Sequence, residues 1–259
     1  MRRFLSLLML LCLFALPASA DALPTGGPAP YAPSPDGFSE DGWRYEDASM
    51  TVEAETIFAY EAKVVVARVT ITDVSQLRTA TAGKFPSKMT LATDVMAEKN
   101  NAVLAFSGDF FAYHNQGIVV RSGELLRNNP SRYRDTLIVD GQGNFHILHP
   151  TSKDAFAAYA DNVREAFCFG PQLVTDGVML TSLDEVGISC DATRKHVRLC
   201  VGQTSPLSYL VFATEESKEE GSVGLTILEC AQLAADLGCI NAYNLDGGSS
   251  ACIMLGGKQ

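Results

Sequence analysis

Positive charge is scarce in this chain. Twenty lysines and arginines stand against thirty aspartates and glutamates, a formal net charge of −10 over 259 residues. That balance excludes nucleic acid as a partner, because phosphate backbones are held by basic surfaces. Histidine is scarce as well: the four present do not cluster with carboxylates in a ligand pattern, and no cysteine pair has C-x-x-C spacing, so no zinc site is written in the sequence. His146 and His149, in Phe145-His-Ile-Leu-His149, read instead as exposed positions of a strand. There is no Rossmann or P-loop glycine pattern and no internal repeat. Neither a cofactor nor a metal is expected.

Long apolar runs are missing everywhere except the N-terminus. There Arg2-Arg3 precedes an apolar run from Phe4 to Leu16 and then Pro17-Ala-Ser-Ala20, the pattern of a cleavable secretory signal. The run is about thirteen residues, short of the ~20 a spanning helix needs, so cleavage after Ala20 is expected and an uncleaved anchor is the alternative. Cys12 lacks a small residue before it, which argues against lipid attachment at that position. Loss of two arginines takes the net charge from −10 to −12. A secreted or cell-envelope location follows, with no stable membrane insertion after cleavage.

What is present fits one folded domain. Hydrophobic residues make up 47% and charged residues 19%, enough for a core of ordinary size. Residues 21–45 are rich in Pro, Gly and Ala and read as a flexible linker, leaving 46–259 as the domain. Six cysteines remain after the signal: Cys168, Cys190, Cys200, Cys230, Cys239 and Cys252. An even count in an exported chain permits disulfides, yet several sit in apolar segments where cysteine acts as a small hydrophobe, and the sequence pairs none of them.

Alternation and β-branching predict strands over 50–57 and 63–71, and a helix over 89–99 follows Ser87 as cap. The apolar run 102–106 predicts a buried strand that ends at Ser107-Gly-Asp109. Hairpins are expected around Ser122-Gly123, Gly141-Gln-Gly143 and Asp176-Gly177, strands over 197–202 and 207–213, and a solvated loop over 215–220. One clear helix, 225–237, stops at Gly238. Its start, Thr226-Ile-Leu-Glu229, matches a capping box, the alternative to a catalytic role for Glu229. The helix feeds the strand Cys239-Ile-Asn-Ala-Tyr-Asn-Leu245, which delivers Asp246 into the turn Gly247-Gly-Ser-Ser250. Glycines let a ligand approach the backbone there, although an ordinary Asp-Gly hairpin turn has the same look. Many short strands followed by one strong helix indicate an α+β fold with mixed β-sheets and few helices. Arg194, Lys195, His196 and Arg198 form the one basic cluster able to attract an anion, unless they are a solvated charged loop.

Six blocks in order carry a resemblance: Ser107-Gly-Asp-Phe-Phe111, Gly117-Ile-Val-Val-Arg-Ser-Gly-Glu-Leu-Leu126, Phe169-Gly-Pro-Gln-Leu-Val174, Arg198-Leu-Cys-Val-Gly-Gln203, Gly224-Leu-Thr-Ile-Leu-Glu229 and Asn244-Leu-Asp-Gly-Gly-Ser-Ser250. Over roughly residues 46–257 the chain resembles the phosphodiester glycosidase family. The resemblance implies a single catalytic domain that hydrolyses a sugar 1-phosphodiester at its glycosidic bond, releasing a free sugar and a phosphomonoester. It implies Asp246, Glu229 and Asp109 as catalytic carboxylates, and Arg198, Asn244, Gly247, Gly248, Ser249, Thr226, Ser107 and Gly108 around the substrate. The partner would be a sugar phosphodiester or a cell-surface polysaccharide. Asp246 and Glu229 would stabilise charge at the anomeric carbon and activate water, while Arg198 would grip phosphate, the alternative being a salt bridge from Arg198 to one of the carboxylates. The family usually has asparagine at the place of Ser107 and a third glycine at that of Ser249, and its domain runs further, so a C-terminal truncation with an open sheet edge is expected. The rival readings are an envelope glycan-binding protein that has lost turnover, and a metal-dependent phosphodiesterase using Asp109, Glu229 and Asp246 as ligands. The glycosidase reading requires Asp109, Arg198, Glu229 and Asp246 to meet in one concavity.

Overall fold

Period-two burial along the central strands decides how the layers form. On the strand Ala62–Ile71, Val64 and Val66 pack to one side while Ala67 and Ile71 pack to the other. On Ser208–Ser217, Leu210 and Phe212 join the first side, and Tyr209 and Val211 the second. Ala242 and Tyr243 part in the same way on Asn241–Asn244. Alternation of this kind requires cover on both faces, and each face finds it.

The computed structural model describes residues 28–184, 186–187 and 190–259. The expected signal, 1–20, lies outside the described residues, as does the linker up to 27. Nine strands form the large sheet, in the order 44–46, 50–59, 62–71, 208–217, 199–205, 241–244, 172–175, 178–179, with 222–223 added beside 208–217. Its first face is covered by the helix Ile227–Asp236, whose buried positions Ile227, Cys230, Ala231, Leu233 and Ala234 follow the 3.6-residue period. Gly238, at φ +86°, ends the turn that follows. The second face packs on a five-stranded sheet, ordered 124–129, 117–121, 163–167, 136–140, 145–148. Leu137 and Val139 point into this inter-sheet core, whereas Ile138 points outward with Ile118 and Val120 under Phe156 of the short helix Lys153–Ala157. A third, two-stranded ribbon pairs 104–106 with 253–255. With three helices against sixteen strands among the described residues, the fold is mostly β-sheet with few helices, and the sheets expected to be mixed are antiparallel in every named strand pair. Among the described residues no helix is long and apolar enough to cross a membrane.

Several local expectations are corrected. The helix expected over 89–99 is Thr93–Lys99, because the Ser87 hydroxyl accepts the N–H of Met89 (3.1 Å) in a tight turn instead of capping. The strand expected over 102–106 is only Leu104–Phe106 and is half-buried, since it belongs to the ribbon and not to a sheet interior. His146 and His149 are not merely exposed strand positions: they contact Asp140 (2.9 Å) and Asp135 (2.7 Å). The acidic stretch 215–220 is half strand, and Glu215 and Glu220 both pair with Lys63 at 3.1 and 3.2 Å. All six described cysteines are free thiols.

Candidate active site

Two strand ends meet at the site. The strand Asn241–Asn244 runs through buried Leu245 to Asp246, and the ribbon strand Leu104–Phe106 runs through Ser107 and Gly108 to Asp109. The ends are tied together by the Asp246 N–H donating to the Gly108 carbonyl (3.2 Å), by the Ser107 N–H donating to the Cys252 carbonyl (3.1 Å), and by the Ser107 hydroxyl donating to the Ser250 carbonyl.

Asp109 is held from two sides. Arg121 Nη2 donates to one carboxylate oxygen, and the Cys168 N–H donates to the other at 2.9 Å. The guanidinium is itself fixed: Nη1 donates to the carbonyls of Ala166 (2.6 Å) and Val120 (2.9 Å), and its carbon lies 4.7 and 4.5 Å from the ring centres of Phe111 and Phe167. Flat stacking with fixed donors is what arginine offers and lysine does not. Cys168 is an anchor rather than a reagent. Its carbonyl accepts from Arg134 (3.2 Å), and Gly117, at φ +98°, passes so close that a Cβ there would sit 2.4 Å from that of Cys168. Burial, reinforced by the Asp109 charge, pushes its thiol up to about 12, which keeps it un-ionised.

Asp246 sits in a different environment. Half-burial pushes its carboxyl above the ordinary aspartate value, the neighbouring Asp109 charge pushes it further, and a hydrogen bond from Ser250 opposes only part of this. Two adjacent carboxyl groups with unlike surroundings can divide proton holding and charge between them. Asp246 also borders two spaces. One is a cavity of 180 Å³ walled by Phe169, Asp191, His196 and the Gly247-Gly248 turn. The other is a cleft of 1240 Å³ reached by Asp109, Arg121, Ser107, Gly108, Ser249 and Ser250. Gly247 lets the turn lie against Val197, just before the strand Leu199–Ser205, where a Cβ would come within 2.6 Å of a carbonyl oxygen, and the Gly248 N–H donates to that same oxygen at 2.9 Å.

The remaining expected residues are placed otherwise. Arg198 walls the small cavity, but its Nε donates to the Leu225 carbonyl (2.9 Å) and its Nη2 to the carbonyls of Arg194 (2.9 Å) and Asp191. Among the described residues it pairs with no carboxylate, and it holds the loop over 191–194 in place. Glu229 lines neither space. Its carboxylate accepts from the Thr226 N–H (2.8 Å) and hydroxyl (2.9 Å) and meets Lys195 at 3.3 Å. Partial burial pushes that carboxyl up, but the Thr226 and Lys195 contacts outweigh it and hold it below the ordinary value. Thr226 is accordingly a helix cap, and Asn244 is a buried strand residue whose amide donates to the Gly170 carbonyl (2.8 Å). Of the basic cluster, Lys195 pairs with Glu61 (3.0 Å) and Glu229, and Arg194 and His196 both stand 3.7 Å from Asp191. Asp109 and Asp246 thus meet, Arg198 contributes a wall, and Glu229 stays apart. Among the described residues no group of three or more His, Cys, Asp and Glu is placed to hold a metal, so Asp109, Glu229 and Asp246 do not form the ligand set of the phosphodiesterase reading. Arg121, which the sequence reading passed over, is the partner of Asp109; its one signal was a charge closing the apolar run from Gly117 to Val120.

Truncating Glu229 to alanine is therefore expected to cost about 1 kcal/mol of stability, as a lost helix cap does, and to leave kcat within about twofold. Urea unfolding together with a steady-state assay checks both. A kcat loss of a hundredfold or more would return Glu229 to the chemistry.

The phosphodiester glycosidase family matches the chain over residues 100–259. A curated relative, the uncharacterized SPbeta prophage-derived protein YomE of Bacillus subtilis (strain 168), is 27% identical over 168 residues. That match covers 63% of this chain but only 26% of the relative, about a quarter of its length. Among solved structures, the zebrafish N-acetylglucosamine-1-phosphodiester alpha-N-acetylglucosaminidase catalytic domain, auto-inhibited by its pro-peptide, superposes with a TM-score of 0.63 at 17% identity, covering 88% of this chain and 78% of that one. A hypothetical protein from Synechocystis superposes with a TM-score of 0.59 at 16% identity, covering 81% and 58%. At such identities the structural likeness is one of fold.

Proposed function

This chain belongs to the phosphodiester glycosidase family, and from that premise we propose that it hydrolyses the bond between the anomeric carbon and the phosphate oxygen of a sugar 1-phosphodiester. Water adds to the anomeric carbon, the C–O bond breaks, and a free sugar and a phosphomonoester leave. The observation that carries this reading is the pairing of Asp246, with its raised carboxyl, and Asp109, held by Arg121 and the Cys168 amide.

In this reading Asp246 handles the proton. It donates to the departing phosphate oxygen and recovers a proton from the attacking water. Asp109 supplies a fixed negative charge toward the positive charge that develops at the anomeric carbon. Because a phosphate is a good leaving group, the proton transfer need contribute only the usual ~10²–10⁴-fold. The hydroxyl of Ser249 on the cleft side is the donor we assign to the phosphate in place of Arg198, and Glu229 serves the fold. Export is proposed from the N-terminal signal pattern, which would bring the enzyme to sugar phosphodiesters or polysaccharides of the cell surface.

The test is incubation of purified protein with a UDP-sugar or another sugar 1-phosphodiester. Free reducing sugar and phosphomonoester are expected in equal amounts. Tight binding with no product would favour the glycan-binding alternative, in which Ser107 and Ser249 mark lost turnover.

A further inference from the structure

We infer that the 180 Å³ cavity beside Asp246 is a subsite for one terminal sugar ring, with Asp191 and His196 as the side chains that recognise its hydroxyls. The inference rests on the glycosidase reading and adds to it where the sugar lies and how many rings fit. The volume comes first. At 180 Å³ the space falls below the ~300–1,000 Å³ of pockets for drug-sized ligands and equals about six waters at ~30 Å³ each, room for one six-membered ring and not two.

The walls match such a ring. Phe169, backed by fully buried Leu245, gives an apolar floor to the C–H face of a pyranose. Asp191 and His196 rise at the rim with side chains 44% and 42% exposed. Their polar atoms stand 3.7 Å apart, beyond hydrogen-bond distance, so neither satisfies the other. Asp191 also accepts from the Thr193 hydroxyl at 3.5 Å and stands 3.7 Å from Arg194, long contacts that a sugar hydroxyl can replace. Opposite them Gly247 and Gly248 present backbone alone, and a Cβ at Gly248 would meet nothing within 4 Å. The arrangement is also held in advance of any ligand. Buried Arg198 donates to the carbonyls of Asp191 and Arg194, which explains why an arginine sits at the cavity without a charged partner among the described residues.

Asp246 borders this cavity and the cleft alike. A ring in the small cavity puts its anomeric carbon at Asp246 and sends the phosphate and the group it carries into the cleft. A sugar extended at its non-reducing end would have to reach past the rim, displacing its contacts with Asp191 and His196.

Kinetics and binding test this together. With UDP-glucose and UDP-N-acetylglucosamine as substrates, Asp191→Ala and His196→Ala are each expected to raise KM about tenfold or more, the loss of a hydrogen bond to a hydroxyl, with kcat within about threefold. Asp191→Asn, which keeps the size of the side chain, should fall between alanine and wild type. Free glucose and N-acetylglucosamine should give saturation-transfer NMR signals with wild type that fade in Asp191→Ala, a readout that needs no turnover. A sugar 1-phosphodiester carrying a second sugar at its non-reducing end should react at least about a hundredfold more slowly than its one-ring counterpart, the loss of both rim contacts together. Unchanged KM in both alanine variants, equal turnover of the two-ring substrate, or no monosaccharide signal with wild type would each overturn the subsite. Monosaccharide binding that depends on Asp191, without any hydrolysis, would keep the subsite and defeat the glycosidase reading instead.

Discussion

Replacing Asp246 with asparagine is expected to lower kcat/KM by about a thousandfold or more while the protein stays folded. Asparagine keeps the shape and can still accept from Ser250, but it neither gives nor takes a proton. In the wild type, kcat/KM should decline as pH rises through the raised Asp246 titration, because the protonated carboxyl is the working form; the residual activity of the variant should lack that limb. The substitution itself should move stability the opposite way from activity. A carboxyl raised on folding favours the folded state fully below the unfolded value of ~3.9, and that contribution is lost as pH rises through the folded titration. At pH 7 the wild type therefore carries a partly buried charge facing Asp109, and Asp246→Asn relieves it. Since the group is about half exposed, solvent screening limits the gain to ~1 kcal/mol or less, a Tm rise of about 1–3 °C at this size. Near pH 3 the difference should vanish. An Asp246→Asn variant with undiminished turnover would remove this residue from the chemistry.

Arg121→Met is expected to have the largest effect on stability, about 3–5 kcal/mol, because it leaves Asp109 buried with its charge unpaired. Methionine retains much of the packing between Phe111 and Phe167, so the loss reports on charge rather than on volume. Removing the charge as well, in Asp109→Asn with Arg121→Met, should recover a large part of the loss, and the two single changes should be far from additive. Urea midpoints at constant m-value measure this. A loss below ~1 kcal/mol in Arg121→Met would mean that Asp109 does not depend on this partner.

The parts of the site that could be read from the sequence were the ones written locally. Asp109 and Asp246 each close an apolar strand against glycine, and a strand end aims its last side chain wherever the sheet puts it. Their meeting needed the ribbon that pairs 104–106 with 253–255, and the second of those strands was not anticipated. The capping box at Thr226–Glu229 was legible for the same local reason, and the Glu229 carboxylate is engaged in it. Arg121 was hidden because its role comes from distant partners: Asp109 on one loop, Ala166 on the neighbouring strand, and two rings from separate segments. That neighbouring strand, Val163–Phe167, escaped notice because Arg164 and Glu165 break its apolar alternation. Both are buried, with the Leu77 carbonyl accepting from Arg164 (3.0 Å) and the Thr79 hydroxyl donating to Glu165 (2.6 Å), contacts no periodicity reveals. Arg198 shows the converse case: a lone arginine after a basic run suggests an anion grip, whereas its Nη2 donates to carbonyl oxygens of the loop before it, contacts that no motif announces.

The most direct measurement is hydrolysis of a sugar 1-phosphodiester in ¹⁸O-labelled water, with both products analysed by mass spectrometry. If water attacks the anomeric carbon beside Asp246, the label appears in the free sugar and the phosphomonoester carries none. Label in the phosphate, with the sugar released unlabelled, would mean attack at phosphorus and would contradict the account.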